Sequence, residues 1–398
     1  MRLRYNFRLY PTPGQRQALA RAFGCARVVF NDGLRARIDA HDAGLPYIRD
    51  GELSKRVITE AKKTPGRSWL GEVSAVVLQQ ALADLNIAYR NFFASVTGRR
   101  KGPNLAPPRF RSRKDNRQAI RFTHNARFAI TAGGKLRLPK IGDVAVRWSR
   151  DLPTEPSSVT VVKDAADRYF ASFVVDVAEQ PLPPVEHETG IDLGLGHFAV
   201  LSNGRKIDAP RFLRRAERKL HKLQQALSRT QKGSSNRAKA RQKIARQHAK
   251  VADARREFHH QESTTIVREN QTVIVEDLAV KGLARTRLAK SVHDAGWSAF
   301  VGMLEYKAGL YGRVFHRIDR WFPSSKLCSA CGTVTGTMPL SVREWICPCG
   351  AVHDRDINAA RNILAAGRAD RLNACRGPVR PPLAVAQPDE AGSHRGAA

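Results

Sequence analysis

The sequence predicts a multidomain α/β chain, and three patterns in its 398 residues predict it. The first ten residues and residues 120–178 alternate apolar with polar side chains, the period of half-buried strands, whereas residues 12–93 between them follow a helical period. A Pro-rich joint, QPLPPVEHE at about 180–188, separates this block from a second, in which short apolar strands alternate with helices. Four cysteines, Cys328, Cys331, Cys347 and Cys349, then gather near the end of the chain.

The opening MRLRYNFRLYPT alternates apolar and basic residues as a strand does, and it lacks the apolar core of a signal peptide. From Thr12 the pattern turns helical: ALARAFGCARVVFNDGLRARI and EVSAVVLQQALADLNIAYRNFFASV repeat apolar residues at three and four, with Val77, Leu78, Leu82, Leu85, Ala88, Tyr89 and Phe92 on one face. TGRRKGPNLAPPRFRSRKDNRQ ends these helices. IRFTHNARFAIT, GKLRLPKIGDVAVRW and SSVTVVKDAADRYFASFVVDV are short alternating runs divided by turns at Gly133-Gly134 and Ala165-Ala166-Asp167. They suit a small β-barrel or sandwich that the opening strand joins, so residues 1–11 and 109–180 form a β domain and residues 12–108 a helical insertion.

In the second block, GIDLGLGHFAVLSNGRKI reads as a β-hairpin. Residues 211–270 read as an antiparallel helical hairpin broken at GSSN, 233–236. TVIVEDL is a buried strand and RVFHRID a strand, HDAGWSAFVGMLEYKAGLYG is a helix, and DINAARNILAAGRA is a helix beginning at about Asn358. The tail over 376–398 is expected to be disordered.

The net charge of +32 sets the partner class. So large a surplus repels itself unless a polyanion neutralises it, and nucleic acid is the natural one. Between Arg205 and Arg256 there are 18 Lys/Arg against three Asp/Glu, too one-sided for a face laced with salt bridges, so this stretch is expected to contact phosphates. No apolar run is long enough for a transmembrane span, so no membrane partner is expected and the location is expected to be cytoplasmic, with the nucleoid. Grouped cysteines in an unexported chain point to metal more than to disulfides, and Cys25 and Cys375 read as ordinary residues.

Three acids stand out by context. Asp192 lies between Ile191 and Leu193, Glu276 ends the run Val273-Ile274-Val275, and Asp356 precedes a helix whose dipole favours an anion. Singly, each reads as a strand-end or cap residue. Together, two strand-borne acids and one helix-borne acid can converge at a sheet edge and hold two Mg²⁺, which prefer hard oxygen ligands. That is the logic of an RNase H-like phosphodiesterase, in which one cation activates the attacking water and the other stabilises the leaving oxygen.

GIDLGLGHFAV, VIVEDL, HDAGWSAFVGMLEYKAGLYG, FPSSKLCSACG and HDRDINAARNI resemble the TnpB family, insertion-sequence proteins related to type V CRISPR nucleases. RLYPTPGQ, LQQALADLNIAYRNFF and PPRFRSR fit it too, so the resemblance covers nearly the whole chain. It implies a β-barrel wedge domain with an inserted helical recognition domain, then a RuvC-like nuclease domain over 186–325 and 353–375 with a zinc-ribbon-like insertion over 326–352. It implies an Mg²⁺-dependent RNA-guided DNA endonuclease with catalytic acids Asp192, Glu276 and Asp356, Asp354 being a lesser neighbour. The implied partners are a guide RNA from the transposon end, a double-stranded DNA target beside a short flanking motif, and a separate transposase of the same element. Gln79, Gln80, Thr123 and Asn125 lie where the family reads that motif; Arg109, Arg111, Arg113, Arg214, Arg215 and Arg218 are candidates for backbone contacts.

One departure concerns the insertion. The family's second knuckle has two residues between its cysteines, whereas Pro348 alone separates Cys347 from Cys349. Zn²⁺ on the four cysteines remains the expectation, with His353 or an altered loop compensating. The alternatives to a nuclease are an RNA-guided repressor that no longer cuts, and a transposase. The presence of all three acids favours the nuclease over the repressor.

Overall fold

The computed structural model describes residues 1–336, 338–339 and 341–376. The expected disordered tail, from 377 on, and the side chain of Cys375 lie outside the described residues. The chain divides into two compact units, Met1–Val177 and the part from Ala178 onward.

The first unit opens with β1 (Arg2–Tyr10) and α1 (Pro13–Asp42). Thr12 caps α1: its hydroxyl accepts from the Gln15 amide, while Gln15 Oε1 accepts from the Thr12 amide at 3.0 Å, and Pro13 supplies a preset φ at the first position. The short α2 (Asp50–Ser54) runs through one turn of π-helix, Lys55–Glu60, and two 3₁₀ turns toward α3 (Ala75–Val96). Strands β2 (Gln118–Thr123), β3 (Ala129–Ile130), β4 (Leu136–Leu138), β5 (Gly142–Arg147), β6 (Ser158–Lys163) and β7 (Tyr169–Asp176) follow.

The seven strands form one antiparallel sheet in the order β2-β6-β7-β1-β5-β4-β3. The opening strand is therefore central, with Leu3 opposite Val175 and Leu9 opposite Val146. The order is open: among the described residues no ladder joins β2 to β3, so the sheet is not a hydrogen-bonded closed barrel. One core runs through sheet and helices, from Phe7, Phe122 and Phe173 to Leu19, Leu34, Leu78 and Leu85. Cys25 lies in it, where burial pushes its thiol up to about 11, as expected of an inert core residue.

The second unit contains β8 (Glu188–Asp192), β9 (His197–Leu201) and β10 (Lys206–Asp208), then α4 (Phe212–Ser228) and α5 (Ser235–Glu269). Ser234 caps α5 by accepting from the Arg237 amide at 3.1 Å, and α4 folds back on α5 through Ala216, Leu220 and Val251. Next come β11 (Thr272–Glu276), α6 (Val280–Leu283), α7 (Ala289–Ala295), α8 (Trp297–Leu310) and β12 (Val314–Ile318). The stretch read as a single helix over HDAGWSAFVGMLEYKAGLYG is thus two, because Gly296 takes φ +68° between them. The hairpin β13 (Glu344–Ile346) and β14 (Val352–Asp354) leads into α9 (Arg355–Arg376).

The sheet of this unit has the order β10-β9-β8-β11-β12, with β8, β11 and β12 parallel and β9 and β10 antiparallel. Ile191, Val273 and Val275 face a core with Ile266 and Val267 of α5 and Phe300 and Leu304 of α8. Ile274 and Ile318 face the other way, against Ile363 of α9. Among the described residues no helix is long and apolar enough to cross a membrane.

Candidate functional site: an acidic sheet edge beside a cysteine cluster

Sheet register brings the three acids together. Ile191 lies opposite Val275 in the parallel β8–β11 pair, so Asp192 and Glu276 follow at the same level on adjacent strand ends. Residues alternate between faces, so Asp192 shares a face with Gly190, and Glu276 with Ile274. Helix α9 covers that face closely. A Cβ on Gly190 would lie 2.2 Å from the Ala360 carbonyl oxygen, and one on Gly367 would lie 2.5 Å from Ile274 Cγ2. Asp356 is one turn before Ala360, and this delivers its carboxylate to the edge where Asp192 and Glu276 end.

The electrostatics report the same convergence. Burial, then the Glu276 and Asp356 carboxylates, push the Asp192 carboxyl up to about 7. Burial also raises Glu276, against the Ser324 hydroxyl that donates to it. Arg343 approaches both Asp356 oxygens at 3.4 Å. An edge of three acids, one of them holding its proton to neutral pH, is a site that gains by accepting a divalent cation.

Asp354 has a different task. Its Oδ1 accepts from the Asp356 and Ile357 amides at 3.1 and 3.0 Å, so it caps α9, and its other oxygen pairs with Lys206 at 2.5 Å. The helix therefore starts at Arg355, three residues earlier than the expected Asn358, and Asp356 stands in its first turn. Sequence reasoning missed Ser324, Asn358 and Asn362. Asn362 Nδ2 donates to the carbonyls of Ser324 and Leu327 at 2.8 and 2.6 Å, and Asn358 holds Leu327 and the Ser329 amide. Their only advance signal is an Asn at every fourth position of DINAARN, on one helix face.

The four cysteine sulfurs lie within 4.8 Å of one another. Two turns present them. Gly332, at φ +76°, follows Cys331, and its amide donates to the Cys328 carbonyl at 2.9 Å; Gly350, at φ +86°, follows Cys349, and its amide donates to the Cys347 carbonyl at 2.8 Å. The one-residue spacer is thus absorbed by a Gly turn at the tip of the β13–β14 hairpin. His353 is buried with its Nε2 3.0 Å from Cys328 Sγ and its ring 4.6 Å from Trp345. Cys331 Sγ also lies 3.2 Å from the Thr333 hydroxyl. Four clustered thiols with a tightly apposed imidazole match the donor set of a structural Zn²⁺ site.

The candidate nucleic-acid residues are dispersed. On α3, Gln79 is exposed and Gln80 half-buried; α3 packs against β2, at whose end Thr123 lies, followed by exposed Asn125. Arg109 and Arg113 are exposed, but Arg111 is not available in the same way. Its guanidinium lies 3.8 Å from the Phe30 ring centroid and 3.3 Å from Asp84, and its amide donates to Asn31, so it anchors the loop. Arg214, Arg215 and Arg218 are exposed on α4, with Arg214 reaching Ser291 Oγ at 3.3 Å.

Family models described as "Probable transposase", "Cas12f1-like, TNB domain" and "Helix-turn-helix domain" match residues 172–287, 297–363 and 1–45. In the structure, residues 1–45 hold a strand and one long helix. A Streptomyces pristinaespiralis protein named "Putative RNA-guided DNA endonuclease" is 46% identical over 384 residues, covering 95% of this chain and 92% of that protein. Escherichia coli (strain K12) "Putative RNA-guided DNA endonuclease InsQ" is 30% identical, over 92% of each chain. The protein chain in the cryo-EM structure of a Cas12f1–sgRNA–target DNA complex has the same fold at TM-score 0.54 and 14% identity, over 87% of this chain and 81% of that one.

Proposed function

The chain belongs to the TnpB family of insertion-element proteins, and from that premise we propose that it is an RNA-guided DNA endonuclease whose catalytic residues are Asp192, Glu276 and Asp356. The observation that carries the proposal is the placing of these acids on one face of one sheet edge, close enough for Glu276 and Asp356 to raise Asp192 to about 7. The sheet order, with the acids at the ends of β8 and β11 and the start of α9, supports a RuvC-like hydrolase.

Mg²⁺ held by the three carboxylates would supply the Lewis acidity for phosphodiester hydrolysis. The chain's own residues prepare that site. Asp192 would hold such a cation as its carboxylate, having released the proton it carries near neutral pH. Ser324 fixes the Glu276 rotamer through its hydroxyl. Arg343, exposed beside Asp356, meets an incoming phosphate. Zn²⁺ on Cys328, Cys331, Cys347 and Cys349 would tie down the turn that Asn358 and Asn362 hold against α9, and so keep Ser324 in reach of Glu276.

The proposed partners are a guide RNA, which reads the target by pairing, and duplex DNA with a short flanking motif. Gln79, Gln80, Thr123 and Asn125 are proposed to read that motif. Arg109, Arg113, Arg214, Arg215 and Arg218 are proposed to contact the nucleic-acid backbone.

The test is plasmid cleavage. The ribonucleoprotein, made with the genomic region just downstream of the gene, is incubated with Mg²⁺ and a guide-matched target beside a randomised flank. Cutting that vanishes in Asp356→Ala is expected. Binding without cutting by the wild type would assign the chain to repression instead, and a joined DNA product would assign it to transposition.

A further inference from the structure

Trp321 is 84% exposed, although a Trp ring normally gains by burial. The loop that displays it is tightly held. The Trp321 amide donates to Asp319 Oδ1 at 2.7 Å, and the Ser324 amide donates to the Phe322 carbonyl at 2.8 Å. Arg320 grips Asp277, with Nη2 2.5 Å from Oδ2 and Nε 3.1 Å from the carbonyl. Ser324 donates to Glu276, and Asn362 donates to the Ser324 carbonyl. The neighbouring Phe322 turns inward against Ile274, Ile318 and Ile363. Of two adjacent aromatic rings, one thus serves the core and the other is offered to solvent on a rigid loop.

Position says to what it is offered. The loop leaves β12 at the sheet edge where Asp192 and Glu276 end, and its two flanking residues, Arg320 and Ser324, bind the acids Asp277 and Glu276. Resting on the endonuclease reading, we infer that Trp321 is a stacking platform for an unpaired base of the DNA strand entering this edge. An unpaired base has a free π-face and a paired one in a duplex does not, so the site selects single strands. Every base has such a face, so it selects no sequence, as suits a strand specified by a guide. The backbone that carries the ring is already ordered, so stacking need not order the loop.

The experiment is a titration of short oligo(dT) into the guide-bound full chain carrying Asp192→Ala, followed by tryptophan emission. Trp321→Phe and Trp321→Ala are added to that background. The other four tryptophans are common to all three proteins, so differences report position 321. The expected result is quenching that disappears in Trp321→Phe while affinity holds, and about tenfold weaker binding in Trp321→Ala. In the nuclease-competent chain, Trp321→Ala is expected to raise KM for the cut strand and Trp321→Phe to restore it. Equal emission changes and equal affinities in all three proteins would overturn the inference. So would a change of oligomeric state in Trp321→Ala, which would assign the ring to a protein contact. A chain that never cuts, yet shows Trp321-dependent quenching by single strands, would overturn the endonuclease reading and keep the stacking site.

Discussion

The acidic edge and the cysteine cluster share one helix, yet they gather like-charged ligands in opposite ways. The edge is built by the fold itself. Strand register sets Asp192 beside Glu276, and the close fit of α9 at Gly190 and Gly367 sets Asp356 above them. The cysteines sit on two turns, supported by a small cluster of Cys328, Trp345 and Cys347 with Met338, Val342 and Ala351. So small a core adds little order of its own, so the proposed Zn²⁺ would contribute much of what holds this loop. The first site is thus set by strand register and helix packing, while the second rests on two turns and, on the proposed reading, on its own ligand.

The sharpest way to break this comparison is to remove one ligand from each site. Asp192→Ala or Asp356→Ala is expected to abolish cleavage, beyond the roughly 10- to 100-fold loss that an outer-shell partner costs. Guide RNA binding should stay near wild type. Equal loss of RNA binding would make Asp192 structural and the edge no more prebuilt than the knuckle. Cys328→Ser is expected to lower bound zinc from about one per chain and to expose residues 326–352 to proteolysis, with the five-stranded sheet intact. Zinc-free protein that resists protease and still cuts would end the contrast.

Much of this was legible in the sequence, for identifiable reasons. Period-two alternation in MRLRYNFRLY marks a strand wherever it pairs, so β1 was recognisable although its partners lie some 140 to 170 residues away. Asp192 and Glu276 stood out because each interrupts or ends an apolar run, and Asp356 because it precedes a helix. Closure of the β domain was not, because whether the last strand meets the first depends on curvature rather than on pattern. The break at Gly296 and the cap at Asp354 carried local signals, a Gly and an Asp, that a strong apolar period masked. Ser324 had none. A serine two residues beyond Phe322 gains meaning only when β12 lies beside β11 and Asn362 fixes its carbonyl.

Ser324 also sharpens the comparison, since it links the two sites. Ser324→Ala removes the donor that fixes Glu276 and leaves the four cysteines untouched. Cleavage is expected to fall by about 10-fold, the lower end for an outer-shell partner, with zinc content unchanged. An unchanged rate would mean that sheet register alone orients Glu276.

The smallest effect is thermodynamic and tests whether the edge is prebuilt without metal. Asp192 has its carboxyl raised from 3.8 to about 7 in the folded chain. The folded state therefore binds a proton that the unfolded state has already lost, and its contribution to stability, full below about pH 4, is lost as the pH rises through about 7. Above that, metal-free protein carries the cost of an ionised Asp192 beside Glu276 and Asp356. Asp192→Asn removes this cost, on the order of 1–3 kcal/mol. In chelator at pH 8 the variant is expected to melt several degrees above wild type, with the gap closing by about pH 4. Mg²⁺ should raise the wild-type Tm at pH 8 and leave the variant nearly unmoved, because the fixed edge has one fewer charge to neutralise. No gap at pH 8 would mean that the acids separate when no cation is bound. The edge would then, like the cysteine cluster, be assembled by its metal.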